Sequence, residues 1–441
     1  MHFFVIVLNE NINTHHLEVI MNKNRWLIAL STIAIHLSIG SVYAYSVFKI
    51  PMSDQLGWNS KEVSLSFTIA IAFLGLSAAF FGRLVEKWGP RKSATIAAIL
   101  FSAGLLGAGL AISLESLTLY FLTYGVIGGV GLGVGYIAPV STLVKWFPDR
   151  RGFATGMAVM GFGAGALIAS PVASALIQSV GLSTTFFILG GTYLVLMLSG
   201  ASYIARPPEG WLPKGMEEQA KSNSKNQKPV STDLAQLTAN EAVKTPRFWL
   251  LWVMMFINIS SGIMIISVAS PLAQDKVGMT AIAAASMVGI MGLFNGGGRI
   301  GWSSVSDYLG RSNVFALFFG VQFLLFLLLP NISNVILFQA FIFIILSMYG
   351  GGFACLPAFI GDLFGTKQLG AIHGYLLTAW SAAGIFGPML VATIKDATQS
   401  YNITFYVFAG LLVVAFSTSV LMKLSISNVK KQNLKATKVA G

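Results

Sequence analysis

The residues best placed to do chemistry are an arginine and an asparagine one helical turn apart, Arg299 and Asn295, in the run LFNGGGRIGW. The run is apolar and rich in glycine. Arg299 stands eight residues before Asp307, about 12 Å along a helix, which puts it well inside a membrane span. A guanidinium near the middle of a bilayer costs at least about 2.5–3.5 kcal/mol unless it faces a wet cavity or a partner. Its planar fork can hold a carboxylate through two hydrogen bonds, and Asn295 on the same face adds an amide. The plainer alternative is a structural pair with Asp307, for which the separation is long. Three glycines just before Arg299 leave space beside it.

Around this cation the sequence offers aromatic candidates: Tyr43, Tyr45, Tyr124, Tyr136, Tyr349, Phe353 and Trp380. Tyr43 and Trp380 fall near mid-span, and Tyr349 and Phe353 share a helix face at i, i+4. The competing reading is that these rings pack or anchor interfaces. His36, about eleven residues into the first span, is a candidate proton carrier. His373 falls near the start of the eleventh. A buried histidine usually hydrogen-bonds locally. No Asp or Glu stands near the middle of any span, so proton coupling would fall to a histidine or to the substrate's own proton.

Two further stretches repeat one another, GRLVEKWGPRK (Gly82 to Lys92) and SSVSDYLGR (Ser303 to Arg311). Glu86 matches Asp307, Gly89 matches Gly310, and basic residues follow each. Arg25/Arg247, Gly40/Gly262, Pro51/Pro271, Gly156/Gly374 and Pro171/Pro388 keep nearly the same offset. An acid, a tight turn and basic residues between two apolar runs, repeated half a chain later, indicates two like-oriented halves. A carboxylate at a helix end beside basic residues and a neighbouring helix terminus can hold a gate in one state. Glu86, Arg91, Asp307 and Arg311 are the gating candidates, against the reading of ordinary charged turns.

The elements that must position these residues are membrane helices. The chain has 441 residues, of which 55% are hydrophobic and 10% charged, with a mean hydropathy of +0.74. Soluble domains carry about 25% charged residues. Runs of about 20 apolar residues cross a bilayer. Twelve are expected, at roughly 25–50, 62–82, 92–113, 117–146, 152–178, 184–204, 247–271, 281–304, 312–330, 334–362, 370–394 and 402–424. The fold class is therefore an all-α membrane protein of two pseudo-symmetric six-helix halves, 25–204 and 247–424. The hydrophilic stretch 205–246 reads as a linker, with a short surface helix expected near Asp233 to Val243, and 425–441 as a basic tail. Residues 1–24 form an extension whose apolar part is too short to span, and Met21 is the alternative start.

Of the 28 Lys and Arg residues, 23 fall on one side of this topology. Four fall in loops on the other side, Lys49, Lys61, Lys276 and Lys395, and Arg299 lies within a span. This asymmetry places both ends and both repeated turns in the cytoplasm. It also explains the pI near 9.7 as topology rather than a nucleic-acid surface. The one cysteine, Cys355, excludes an intrachain disulfide framework and metal sites built on several thiolates. The glycine series Gly125, Gly128, Gly129, Gly131, Gly133, Gly135 follows no strand and lies within a span, so it reads as close helix packing rather than a dinucleotide loop.

The loop GRLVEKWGPRK resembles the signature loop between the second and third helices of the major facilitator superfamily, with Glu86 where an Asp is usual. GSVYAYSVFKIP in the first span, YGVIGGVGLGVGYIAPVSTLVKWFPDRRGFATG across the fourth and fifth, and MGFGAGALIASP are similar to the oxalate/formate antiporter family within it. The resemblance covers nearly the whole chain. It implies transport of a small organic carboxylate by alternating access, with a counter-transported anion or a proton as partner, no cofactor, and a monomer in a bacterial inner membrane. It also implies that Arg299 takes the position of the family's anion-binding arginine. The sequence departs from the oxalate-specific pattern where the family's oxalate carrier has a lysine and Trp380 stands here. One fixed cation argues for a monoanion such as formate, lactate or pyruvate.

A carrier for another solute (oxalate, a drug or a sugar) is the alternative within the class, and a transporter-like sensor the less favoured one outside it. No nucleophile with a base, metal cluster or phosphate loop stands in a setting that would support an enzyme.

Overall fold

In hydrocarbon every backbone polar group must be satisfied within the protein, so apolar runs of this length fold as helices. The computed structural model describes residues 23–58, 60–208, 210–213, 216 and 234–439. Met21, and the middle of the stretch read as a linker, lie outside the described residues. The long helices are α1 Arg25–Gly40, α2 Ser60–Trp88, α3 Pro90–Ser113, α4 Leu117–Trp146, α5 Arg151–Val180 and α6 Leu182–Tyr203, then α7 Pro246–Val277, α8 Ala281–Leu309, α9 Arg311–Leu328, α10 Val335–Phe364, α11 Leu369–Thr398 and α12 Asn402–Val439. Eleven of the twelve are long and apolar enough on their described residues to cross a membrane. The remaining one, α8, is 29 residues long and carries the glycine run and Arg299.

Several helix starts follow from capping. The side chains of Asn24, Thr245, Thr280 and Asn334 each accept a backbone N–H in the first turn of the helix they precede, which satisfies one of the donors a helix start leaves free. Between α2 and α3, and between α8 and α9, the chain turns on Gly89 (φ 82°) and Gly310 (φ 83°). A side chain would be strained in this left-handed region, so both repeated turns need glycine.

Three elements differ from the uniform spans expected. α1 tightens into a 3₁₀ turn, Ser41–Tyr45, before continuing as a helix over Ser46–Leu56. α4 contains a widened π segment, Phe121–Gly128; such segments frequently mark functional sites. α12 runs unbroken for 38 residues to Val439, about 57 Å, so the segment read as a separate basic tail continues the last helix beyond a hydrocarbon core of about 30 Å. The short surface helix covers Ala239–Val243 and is closed by a capping box between Thr238 and Glu241.

The halves meet along two seams, α2 against α11 and α5 against α8, with α10 also touching α5. These helices carry nearly all of the residues that matter below.

Candidate functional site

Arg299 is fully buried at the centre of the α5–α8 seam. Its Nη1 donates to the Val159 carbonyl on α5 at 2.8 Å, and its Nε donates to Asn295 Oδ1 at 3.3 Å. Asp307 is not its partner. Gly298 lets α8 sit directly against α10: a Cβ there would overlap the Ser347 carbonyl oxygen. Of the three glycines before Arg299, only Gly296 and Gly297 therefore leave open space. The close approach brings Arg299 to the rings of α10, with Cζ 5.5 Å from the Phe353 centroid, and to Phe162 of α5 at 6.0 Å.

From there an aromatic shell crosses to the other half. Phe353 packs on Trp380 at 4.5 Å, and Tyr349 on Phe353 at 5.3 Å. Trp380 lies 6.4 Å from Tyr43, 5.7 Å from Tyr136 and 5.9 Å from Phe162. Tyr43 and Tyr136 each meet Phe162 edge-on, at 5.0 and 5.5 Å. The structure thus brings Arg299, Asn295, Tyr43, Tyr349, Phe353 and Trp380 together in one layer built from α1, α8, α10 and α11.

Four polar groups of this layer have a proton to donate and no acceptor. Arg299 Nη2, the Tyr43 and Tyr136 hydroxyls and Trp380 Nε1 are all buried without a hydrogen-bond partner. The Tyr43 hydroxyl faces both Arg299 and Tyr349. A buried donor left unpaired costs about 1–3 kcal/mol, and more when charged. Four of them in one layer fit a ligand rich in acceptors.

His36 flanks this layer. Its Nδ1 lies 2.7 Å from the Ala158 carbonyl and its Nε2 3.2 Å from the Tyr136 carbonyl. A neutral imidazole can donate to only one of two carbonyls; a protonated ring donates to both. Tyr136 is sandwiched between His36 at 5.3 Å and His373 at 5.7 Å, and both ring nitrogens of His373 are buried without a partner. The sequence offers Tyr136 and His373 without favouring them for the site, and gives no signal for Phe162. Their spacing carries no distinguishing signal, since aromatic residues in membrane helices pack everywhere.

At the basic end of the bundle the two repeated acids do the same thing to opposite halves. Glu86, ending α2, accepts from the Gly370 N–H at the start of α11 at 2.7 Å and pairs with Lys145 at 2.9 Å. Asp307, ending α8, accepts from the N–H groups of Gly152 and Phe153 at the start of α5, at 2.9 and 3.0 Å, and pairs with Arg311. Each acid thus occupies the positive end of a helix dipole belonging to the other half. Asp362 extends the second cluster, reaching Arg311 Nε at 3.3 Å and Arg151 Nη1 at 3.2 Å. Arg91 stands apart: it is exposed, and donates to the Ser202 carbonyl at the end of α6, within its own half. The Arg151–Asp362 pair adds a second link across the seam, while Lys145 holds Glu86 from within the first half; the sequence does not single out these three as gating residues.

The two seams close over a buried layer at mid-depth, with matching acids beneath. Residues 30–388 match the model of the Major Facilitator Superfamily. The chain belongs to that superfamily. It is 29% identical to the oxalate:formate antiporter of Oxalobacter formigenes over 398 residues, covering 89% of this chain and 90% of that one. It is 24% identical to the apicoplast pyruvate carrier 1 of Toxoplasma gondii, over 73% and 68% of the two chains. The crystal structure of the fucose:proton symporter of E. coli has the same fold, with a TM-score of 0.69 at 13% identity, over 91% of this chain and 99% of that one. This superfamily member is thus a multi-pass membrane protein with the character of a transporter rather than an enzyme.

Proposed function

We propose that this protein carries a small monocarboxylate, such as formate, lactate or pyruvate, across the membrane by alternating access. The observation that supports this most is the set of unpaired buried donors around Arg299. A carboxylate placed against Arg299 Nη2 would accept from the guanidinium and, through its second oxygen, from the tyrosine hydroxyls or the indole N–H. Among the described residues Arg299 is the one cation in that layer. A single negative charge therefore balances it, and an aromatic shell of Trp380, Phe353 and Phe162 suits a short apolar substituent. The antiporter and the pyruvate carrier named above are relatives whose names carry small carboxylates, which agrees with this reading.

The basic end is assigned to the cytoplasm by the rule that Lys and Arg gather there, which puts both chain ends on that side; the membrane is assigned as a bacterial inner membrane. Glu86, Asp307 and Arg311 then close the cytoplasmic side while the substrate site faces outward, and Arg91 buttresses the turn without crossing the seam. His36 is the candidate for a coupled proton, and a counter-transported anion is the other driving partner that this site allows. The carrier is assigned as a monomer, with the lipid bilayer as its surroundings.

The deciding experiment is thermal-shift and radiolabel competition with purified protein against formate, lactate, pyruvate, oxalate and a sugar. Ligands that bind only the folded state raise its apparent stability. Stabilisation by monocarboxylates alone is expected. Stabilisation by the sugar but by no carboxylate overturns the proposal.

A further inference from the structure

A groove of about 750 Å³ opens at the basic end, beside the α2–α11 seam and away from the substrate layer. It is lined by Asn240, Lys244, Trp249, Trp252, Tyr375 and Thr378, among others. Arg83 of α2 reaches across to it, donating to Asn240 Oδ1 and lying 5.5 Å above the Tyr375 ring. The groove therefore joins one half, through Arg83, to the other, through α7, α11 and the short helix Ala239–Val243. Its floor is held in place by Trp252 Nε1 donating to Thr378 Oγ1 at 2.9 Å.

Two observations, one of charge and one of shape, fit the same occupant. Arg83 is exposed and Lys244 lines the groove, at the depth where Trp249, 53% exposed, marks a membrane–water interface. From that level an aromatic ridge runs inward. Trp249 meets Trp252 at 6.4 Å, Trp252 stacks on Phe256 at 5.4 Å and 7°, and Phe256 meets Phe386 at 5.3 Å. Cations at headgroup level with an apolar ridge continuing into the hydrocarbon match the two ends of one molecule, an anionic phospholipid. We infer that a lipid of the phosphatidylglycerol type docks here, its phosphate against Arg83 and Lys244 with the Asn240 amide beside it, and its chains along Trp252 and Phe256. Such a lipid contacts both halves at once and favours the state in which α2 and α11 lie together.

The test uses the full chain purified in detergent and titrated with phosphatidylglycerol or with phosphatidylcholine of the same chains, read by native mass spectrometry. The expected result is phosphatidylglycerol adducts that outlast phosphatidylcholine adducts on collisional activation. Arg83→Gln with Lys244→Gln should lower the bound fraction by about fivefold or more, since hydrogen bonds to a charged group are the stronger kind. The charge-matched variant Lys430→Gln with Lys431→Gln should leave it unchanged. Equal losses in the two variants would mean diffuse attraction to the basic end and would overturn the site, as would equal retention of the two lipids. A second reading needs no variant: phosphatidylglycerol brominated on its chains should quench the native tryptophan fluorescence more strongly than brominated phosphatidylcholine at equal concentration, and equal quenching counts against the proposal.

Discussion

Arg299 and His36 hydrogen-bond to neighbouring carbonyls of one helix, Val159 at 2.8 Å and Ala158 at 2.7 Å on α5. One side chain comes from α8 in the second half and the other from α1 in the first. A movement of the α5–α8 seam that releases Arg299 therefore pulls on the same stretch of backbone that seats His36. Charge on the imidazole is felt by the guanidinium and the reverse, and among the described residues no carboxylate stands in this layer to offset it.

Removing the guanidinium should abolish recognition. Truncating one member of a buried, hydrogen-bonded charge pair costs about 2–5 kcal/mol, roughly thirtyfold or more in affinity. Arg299→Ala, and Arg299→Lys through loss of the planar fork, should both drop uptake into proteoliposomes by at least that factor while the protein still purifies as a folded species. Normal uptake by Arg299→Ala would end the carboxylate assignment.

The choice between one charge and two should be switchable at Trp380. The native protein is expected to bind formate, lactate or pyruvate in mutual competition and oxalate poorly. Trp380→Lys adds a second cation beside Arg299, so oxalate should gain in competition strength relative to formate. Tight oxalate binding by the native protein would show that a single fixed cation does not set the charge preference.

Glu86→Gln and Asp307→Asn each weaken one helix cap and one ion pair at the basic end. Partly exposed pairs contribute about 1 kcal/mol or less, enough to shift a nearly balanced equilibrium several-fold. With the buried Cys355 replaced, single cysteines introduced below the substrate layer should become more reactive from that side in either variant. Unchanged reactivity in both would reduce these acids to ordinary turn residues. Arg91→Gln should have the smaller effect, because its bond stays within one half.

If His36 carries the coupled proton, uptake by the native protein should rise as the side from which substrate is taken is acidified, and His36→Gln should flatten that dependence while still binding substrate. A variant with the full pH dependence would leave the substrate's own proton as the carrier.

A good part of this was legible in the sequence, for reasons that can be named. Arg299 stood out because a cation in an apolar run is costly, and Glu86 and Asp307 because their surroundings repeat. The convergence of Tyr136, Phe162 and His373 was not legible. Each sits in a run where an aromatic or polar residue would pack equally well facing a neighbouring helix, and only the crossing of α4, α5 and α11 aims them at one point. The role of Gly298 was misjudged for a related reason. A glycine announces a lack of bulk but not what fills it, and here the backbone of α10 does. Asp362 and Arg151 lie at span ends among many charges, so their cross-seam geometry needed coordinates.

The exchange of caps between halves has a consequence for how the basic end can open. Two helix starts are closed from the opposite half: the first turn of α5 depends on Asp307, and that of α11 on Glu86. Parting the seams takes three backbone donors away from the two carboxylates, each of which keeps its own-half cation, and water must reach those donors before the rearrangement is complete. Partial opening on one seam leaves the other still tethering the same two bodies. The pair therefore behaves as a two-point latch that favours fully shut or fully parted over anything in between, and a carrier with such a latch is guarded against leaking through a half-open state.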